Sequence, residues 1–196
     1  PEYRYYVFCT SCSSDSTNMW NYYVKNGMYR GYNLGIAVDV LENWFSQQGG
    51  ENVKLVHGSV NYNKKQQSEM LYQKAKELTE IFDQRKAHAH ADPNFEDSAI
   101  SEFQDDLLAY INENKLFFKH PAFKSEQEYR FVLKIHSDLR SDAQSGLEIK
   151  YRVGTSGIIT PYAEWTFDIL KPMLLKQITL SPMIEEELAK ESFERF

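Results

Sequence analysis

The period of the hydrophobic pattern changes twice along this chain, and this change constrains the fold more than any other feature. Residues 32–38, 128–135 and 147–153 alternate between apolar and polar types, which is the pattern of half-buried β-strands. Between residues 63 and 118, apolar residues instead recur every three or four positions, which predicts amphipathic helices. Strands at both ends with helices between them favour an α+β fold over an alternating βαβ arrangement.

We therefore predict a mixed, largely antiparallel sheet with flanking helices and an inserted pair of antiparallel helices. The helices are predicted at 63–88 and 98–118, and Asn63 is a suitable N-cap for the first. Because 196 residues suit one domain, residues 1–196 are interpreted as a single domain that contains a helical insert at 63–118. Shorter patterns predict further strands at 3–10, 53–60, 158–162 and 176–180, and a last acidic helix at 183–196.

Each of two long strands is predicted to bury one face against the core. The apolar face of 128–135 carries Tyr129, Phe131, Leu133 and Ile135, and that of 147–153 carries Leu147, Ile149, Tyr151 and Val153. These eight side chains are therefore predicted to point inward.

Charge and composition exclude several classes of function. The formal net charge is −6 and no long run of Lys or Arg is present, so we expect no general nucleic-acid binding. No apolar run is long enough to span a bilayer, and two cysteines are too few for a disulfide scaffold. We therefore predict a cytoplasmic protein without a membrane partner. Cys9 and Cys12 lack the second Cys or His pair of a zinc site, so no metal site is predicted.

The sharpest local feature is a group of charged residues at the start of strand 128–135. If the strand begins near residue 126, Glu126, Glu128 and Arg130 share one face of it. One interpretation, which the residue types favour, is a solvated face on which Glu128 and Arg130 pair weakly. The other is a polar pocket in which a carboxylate binds a hydroxyl group and Arg130 holds an anion or orients the acid.

The second feature is a serine-rich turn followed by a short helix, at residues 9–23. Hydroxyl and backbone N–H groups around Ser11 can hold a phosphate or carboxylate at the helix start. Trp20 and Tyr23 lie one helical turn apart and could stack on a planar ring. The alternative is structural, because Ser and Asp are common turn residues and the two aromatic side chains could belong to the core.

Taken together, these segments resemble a bacterial family known as domain of unknown function 2971. The motifs that carry the resemblance follow the family's order and are Phe8 to Ser11, Asp15, Trp20, Tyr23, Gly31 to Ile36, Lys119, Phe123, Glu126, Glu128, Arg130, Pro161, Tyr162 and Ile178 to Pro182. The resemblance adds Lys119 to the residues of the site. Family members usually begin with a segment that contains an Asn-Asp-Pro-like motif. This sequence lacks it, so we expect such a segment to precede Pro1.

Two functions agree with these motifs. Hydroxyl residues after a strand, followed by a Glu-x-Glu strand, are similar to the Ser and Glu elements of ADP-ribosyltransferases. That resemblance implies an enzyme that uses NAD or another nucleotide, in which Glu128 holds the nicotinamide ribose, Glu126 contacts the acceptor, and Trp20 or Tyr23 stacks on nicotinamide. The other function, which we favour slightly, is a module without catalysis that binds a ligand or partner, with stress or phage defence as its setting.

The predicted site combines the two features. We expect Glu126, Glu128 and Arg130 to be the catalytic residues and to line a pocket, if the protein is an enzyme. We expect the ligand, a small molecule or nucleotide such as NAD, to be bound by Ser11, Trp20, Tyr23 and Lys119. This site requires a sheet that places 3–10 beside 128–135. A protein partner would instead use the helical insert and the last helix.

Overall fold

The structure is a computed structural model, and it describes residues 3–24, 31–48, 53–88, 95–139, 141–142, 147–154, 156–165 and 175–195. The chain divides into two compact units. Pro1–His57 and Glu128–Phe196 form the first, here called the sheet unit, and Gly58–Gln127 forms the second, here called the helical unit. Helices together with antiparallel sheets confirm the predicted α+β class. The single-domain interpretation with an insert at 63–118 stays a prediction.

The strands and helices of the first part of the chain are β1 (Tyr3–Ser11), α1 (Thr17–Tyr23), β2 (Tyr32–Ile36), α2 (Val38–Gln48) and β3 (Val53–Ser59). After the helical unit come β4 (Glu128–His136), β5 (Ser141–Asp142), β6 (Leu147–Val153), β7 (Ile159–Trp165), β8 (Leu175–Leu180) and α5 (Glu186–Arg195). The predicted strand at 32–38 is too long by two residues. It ends at Ile36 because the Ala37 carbonyl already accepts the first helical hydrogen bond of α2, from the Leu41 N–H at 3.1 Å.

Within the described residues, the strands form three small sheets, with the orders β1-β4-β3, β2-β8 and β5-β6-β7. In the first sheet, β4 is central and pairs antiparallel with β1, from Tyr3 opposite His136 to Ser11 opposite Glu128. This confirms the expected pairing of 3–10 with 128–135. It also brings together the end of β1 and the start of β4, where the two sequence motifs lie.

The core of the sheet unit joins α2 to strands of two sheets. It consists of Leu41, Val53, Phe131, Leu133, Ile135 and Leu147, each at most 8% exposed. Burying an aliphatic or aromatic side chain of this size contributes roughly 1.5–3 kcal/mol. The predicted inward faces are thus confirmed for the residues of β4 from Phe131 onward and for Leu147.

The prediction is wrong for the far end of β6. Tyr151 and Val153 are 55% and 70% exposed. Val153 lies opposite Ile159, which is 67% exposed, at the tip of the β6–β7 hairpin. The alternation does continue to this tip, but the core packs only against the other end of the hairpin, around Leu147.

The helical unit contains α3 (Lys64–His88), α4 (Phe95–Asn114) and two 3₁₀ helices, Lys115–Phe117 and Pro121–Glu126. α3 and α4 are antiparallel, because Lys74 lies over the Tyr110 ring at 5.8 Å while Arg85 pairs with Glu102. Both predicted helices are confirmed, although the second ends earlier, where the backbone tightens into 3₁₀ geometry. In the described ranges, no helix is long and apolar enough to cross a lipid bilayer.

Candidate functional site

A cavity of about 480 Å³ lies at the end of β1 in the sheet unit. Its volume falls within the range of about 300–1,000 Å³ that is usual for small-molecule sites. It is enclosed by the serine-rich turn, β2, the start of α2, β4 and β8. The lining residues are Phe8, Thr10, Ser11, Cys12, Ser13, Ser14, Asn33, Leu34, Gly35, Ile36, Val38, Leu41, Tyr129, Phe131 and Thr179.

The serine-rich turn on this cavity is fixed by hydrogen bonds. The Ser11 hydroxyl accepts a hydrogen bond from the Ser13 N–H at 3.1 Å, which is the short-range bond of a serine turn. The Asn33 side chain donates to the Ser14 carbonyl at 2.6 Å and so ties the turn to β2. Of the residues predicted to bind a ligand, Ser11 is the one that lines this cavity.

In the part of the chain that the structure describes, the cavity wall contains polar groups but no formally charged side chain. Among the described residues that line it, none is Asp, Glu, Lys, Arg or His. Its polar groups are hydroxyls, a thiol and an amide, and the rest of the wall is aliphatic or aromatic. Burying a charged ligand group without an opposite charge is costly. The cavity therefore suits an uncharged molecule with hydroxyl or amide groups and an apolar face.

Three aromatic side chains form a continuous surface along the cavity. The ring centroid of Phe131 lies 5.3 Å from that of Tyr129 and 6.3 Å from that of Phe8. The Thr10 hydroxyl donates to the Tyr129 carbonyl at 3.0 Å, which holds the ends of β1 and β4 together. This surface gives a planar ligand group a place to stack.

The Tyr129 hydroxyl contacts two further side chains of the sheet unit, Glu42 of α2 and His57 of β3. It donates to Glu42 Oε1 at 3.0 Å and lies 2.8 Å from His57 Nδ1, which donates to it in the tautomer protonated at Nδ1. His57 Nδ1 is also 3.2 Å from Glu42 Oε1. Burial, then the hydrogen bond to the Glu42 carboxylate, raises the pKa of Tyr129 above its usual 10.0. We call these three residues the tyrosine cluster.

Glu128 and Arg130 form an ion pair at the start of β4. Arg130 Nε and Nη2 lie 2.8 Å and 2.5 Å from Glu128 Oε2. The two side chains are only 6% and 15% exposed. The interpretation of these residues as a solvated, weakly paired face is therefore wrong, because the fold removes both charges from water.

This ion pair and the cavity lie on opposite faces of the sheet. Successive side chains of a strand point to opposite faces, so Glu128 and Arg130 face away from Tyr129 and Phe131. In the register of β1 and β4, Ser11 is opposite Glu128. The fold thus brings Ser11 next to the acidic motif, while Glu128 and Arg130 are not among the cavity's lining residues.

Lys119 and Glu126 form a second pair, within the helical unit. Lys119 Nζ lies 2.5 Å from Glu126 Oε2 and 4.8 Å from the Phe123 ring centroid, and Glu126 is 5% exposed. β4 begins at Glu128, as predicted, so the condition under which Glu126 would share a strand face with Glu128 and Arg130 is not met. Glu126 ends a 3₁₀ helix and Gln127 takes a left-handed backbone with φ of 45°, so β4 begins only at Glu128. Such a conformation is unusual for a residue other than Gly.

The two predicted stacking residues have different environments. Trp20 is 6% exposed, and its Nε1 donates to Asp15 Oδ1 at 2.7 Å, so it anchors the serine-rich turn. Tyr23 is 62% exposed. Neither lines the cavity described above. The roles assigned to these residues, and to Lys119, Glu126, Glu128 and Arg130, stay predictions.

Glu42, His57 and the cavity itself were not found from the sequence. Glu42 and His57 lie in different elements and no spacing connects them. A weak signal does exist at Tyr129, which is the one hydroxyl-bearing residue on the apolar face of β4. A partly buried tyrosine usually finds a hydrogen-bond partner, so that position indicates a polar group nearby.

Comparison with known proteins agrees with the motifs described above. The family described as "Protein of unknown function (DUF2971)" matches residues 19–131, which is more than half of the chain. The matched span includes Trp20, Tyr23, the tyrosine cluster and both charged pairs. No curated protein and no solved structure shows significant similarity to the chain. On the extent of this match, the chain belongs to the DUF2971 family.

Proposed function

We propose that this protein is a binding module for a small uncharged molecule, held in the cavity at the end of β1. The observation that carries this proposal is the cavity's lining, in which hydroxyl and amide groups surround an aromatic surface without any formal charge. A few fixed polar groups in a mostly apolar cleft are the usual composition of a small-molecule site.

The arrangement of the lining narrows the class of ligand. The surface of Phe8, Tyr129 and Phe131 suits a planar ring. The hydroxyls of the serine-rich turn can donate to and accept from a ligand's hydroxyl or amide groups. A nucleoside has both parts and no charge, so we take ring-bearing molecules of the nucleoside type as the proposed ligands.

The experiment is a thermal unfolding series with matched ligand pairs. Each of the four common nucleosides is compared with its own 5′-monophosphate, which differs by the charged phosphate alone. We expect a nucleoside to raise Tm more than its monophosphate does. At a ligand concentration of 100 Kd the native state gains about 2.7 kcal/mol, or about 5–10 °C in Tm for a chain of this size.

Two variants locate the binding. Leu34→Trp places a large side chain on the cavity wall and should abolish the ligand-induced shift. Leu175→Trp is the matched control, since Leu175 is also an exposed leucine of the β2–β8 sheet but does not line the cavity. The proposal is wrong if only the charged nucleotides stabilise the protein, or if both variants respond to the nucleoside equally.

An NAD-using enzyme similar to ADP-ribosyltransferases is the second candidate. The observation that favours it is the register of β1 and β4, in which Ser11 lies opposite Glu128. In this proposal Glu128 holds the nicotinamide ribose, Glu126 contacts the acceptor, and Trp20 or Tyr23 stacks on nicotinamide. NAD is therefore added to the same series, with release of nicotinamide as the readout that favours the enzyme over the module.

The cellular setting belongs to the proposal as well. A bacterial source, a cytoplasmic location and a role in stress or phage defence stay predictions, as does a protein partner on the helical unit or α5.

A further inference from the structure

Three oxygen or nitrogen atoms of the tyrosine cluster, each of a type that can coordinate a metal ion, converge from three different elements of the sheet unit. Glu42 Oε1 comes from α2, His57 Nδ1 from β3 and the Tyr129 hydroxyl from β4. The distances between them are 2.8 Å, 3.0 Å and 3.2 Å. The three atoms therefore form a nearly equilateral triangle.

This triangle has the size of one face of a metal coordination octahedron. With metal–ligand bonds of about 2.1 Å, neighbouring donors at right angles lie about 3.0 Å apart. Tetrahedral angles would place them about 3.4 Å apart. The measured distances fit the octahedral arrangement more closely, with three further positions left for water or a ligand.

The donor types and their surroundings also suit a metal ion. Imidazole nitrogen with carboxylate and phenol oxygen is a mixed set that favours first-row transition metals. The Glu42 and His57 side chains are 35% and 34% exposed, so an ion and its waters can reach the donors. The His57 ring stacks on Phe131 with centroids 5.8 Å apart and an angle of 25° between the planes, which restricts its orientation.

We propose that Glu42, His57 and Tyr129 form a binding site for a divalent first-row transition-metal ion at the edge of the cavity. Among the described residues, no three side chains drawn from His, Cys, Asp and Glu form a metal-binding group. The third donor of this site is a phenol oxygen, which lies outside that set. The inference goes beyond the proposed binding module, because the cavity can bind its ligand without a metal.

Without a metal, the same atoms are joined by hydrogen bonds, so an ion has to displace protons. His57 Nδ1 presents a lone pair to a metal ion in the tautomer that carries its proton on Nε2, and the Tyr129 oxygen binds most strongly as a phenolate, after its proton leaves. Metal binding should therefore release protons and become tighter as the pH rises.

The experiment uses Co²⁺ as the probe, added to the whole protein after treatment with a chelator. Visible absorption reports both binding and geometry, because six-coordinate Co²⁺ absorbs weakly and four-coordinate Co²⁺ absorbs strongly. We expect one Co²⁺ per chain with a weak spectrum, and an affinity that is higher at pH 8 than at pH 6.

Tyr129→Phe is the decisive variant, because it removes one donor and keeps the ring in the aromatic surface. Loss of a donor should weaken Co²⁺ binding about 10–100-fold or more. His57→Gln should do the same, with folding of each variant checked by circular dichroism. His136→Ala is the matched control, since His136 also lies near a carboxylate, Asp138, at 3.9 Å, and it should leave binding unchanged.

Three results would overturn the site. They are the absence of stoichiometric Co²⁺ binding at pH 8, unchanged binding by the folded Tyr129→Phe variant, and a strong four-coordinate spectrum. None of them affects the nucleoside series, so the metal site and the binding module succeed or fail separately.

Discussion

The ion pair of Glu128 and Arg130 is buried, and burial changes how much the loss of one member affects the free energy of unfolding. Because both side chains are largely removed from water, removal of Glu128 takes one charged hydrogen-bond partner away from the largely buried Arg130 guanidinium. We expect Glu128→Ala to lower the free energy of unfolding by roughly 1.5–3 kcal/mol, as for the loss of hydrogen bonds to a charged group. Urea denaturation followed by circular dichroism measures this loss.

The matched control is the exposed pair of Arg85 and Glu102, whose side chains are 54% and 56% exposed. Exposed ion pairs contribute about 0–1 kcal/mol, so Glu102→Ala should change stability by no more than that. Equal effects of Glu128→Ala and Glu102→Ala would contradict the structural role of Glu128.

The first turn of α3 depends on one side chain that precedes the helix. Asn63 Oδ1 accepts hydrogen bonds from the Lys65 and Gln66 N–H groups at 3.0 Å and 3.3 Å, which confirms the predicted cap. These N–H groups have no partner within the helix. Asn63→Ala should therefore lower the free energy of unfolding by about 1 kcal/mol, measured by urea denaturation.

Asn63→Asp is the control, because a carboxylate oxygen accepts the same two hydrogen bonds. It should retain nearly all of the stability that Asn63→Ala loses. If the two variants lose stability equally, the side chain of residue 63 does not act as the cap.

The charge of the whole chain bears on its partners. A net charge of −6 opposes the approach of polyanionic DNA, and the lining of the cavity holds no formal charge. We expect no saturable binding of a fluorescent DNA duplex in an anisotropy titration at 0.15 M salt, roughly physiological ionic strength. Binding that weakens steeply when salt is added would show an electrostatic interface and contradict this expectation.

Much of the fold could be predicted because secondary structure is encoded by local burial. The alternation that ends in Phe131, Leu133 and Ile135 predicted a strand with one buried face. The helical period after Asn63 predicted the helix pair of α3 and α4. In both cases, each residue's neighbours in sequence already determine which side chains share a face.

The same reasoning fails where burial depends on a distant partner. Tyr151 and Val153 continue the apolar face of β6, but their position at the hairpin tip leaves them exposed. Residue types favour a solvated face over a polar pocket for Glu128 and Arg130, but both side chains are largely buried. Periodicity gives the direction of a side chain, whereas the packing of other elements decides whether that side is covered.

For this protein, then, the sequence by itself determined the α+β class, the helix pair with its cap, and the two motifs that the pairing of β1 with β4 brings together. Only the tertiary structure decided that a cavity lies beside Ser11, and that Glu42, His57 and Tyr129 meet within 3.2 Å. The physical reason is that these contacts join residues up to 87 positions apart. No local periodicity encodes which atoms of α2, β3 and β4 converge when the chain folds.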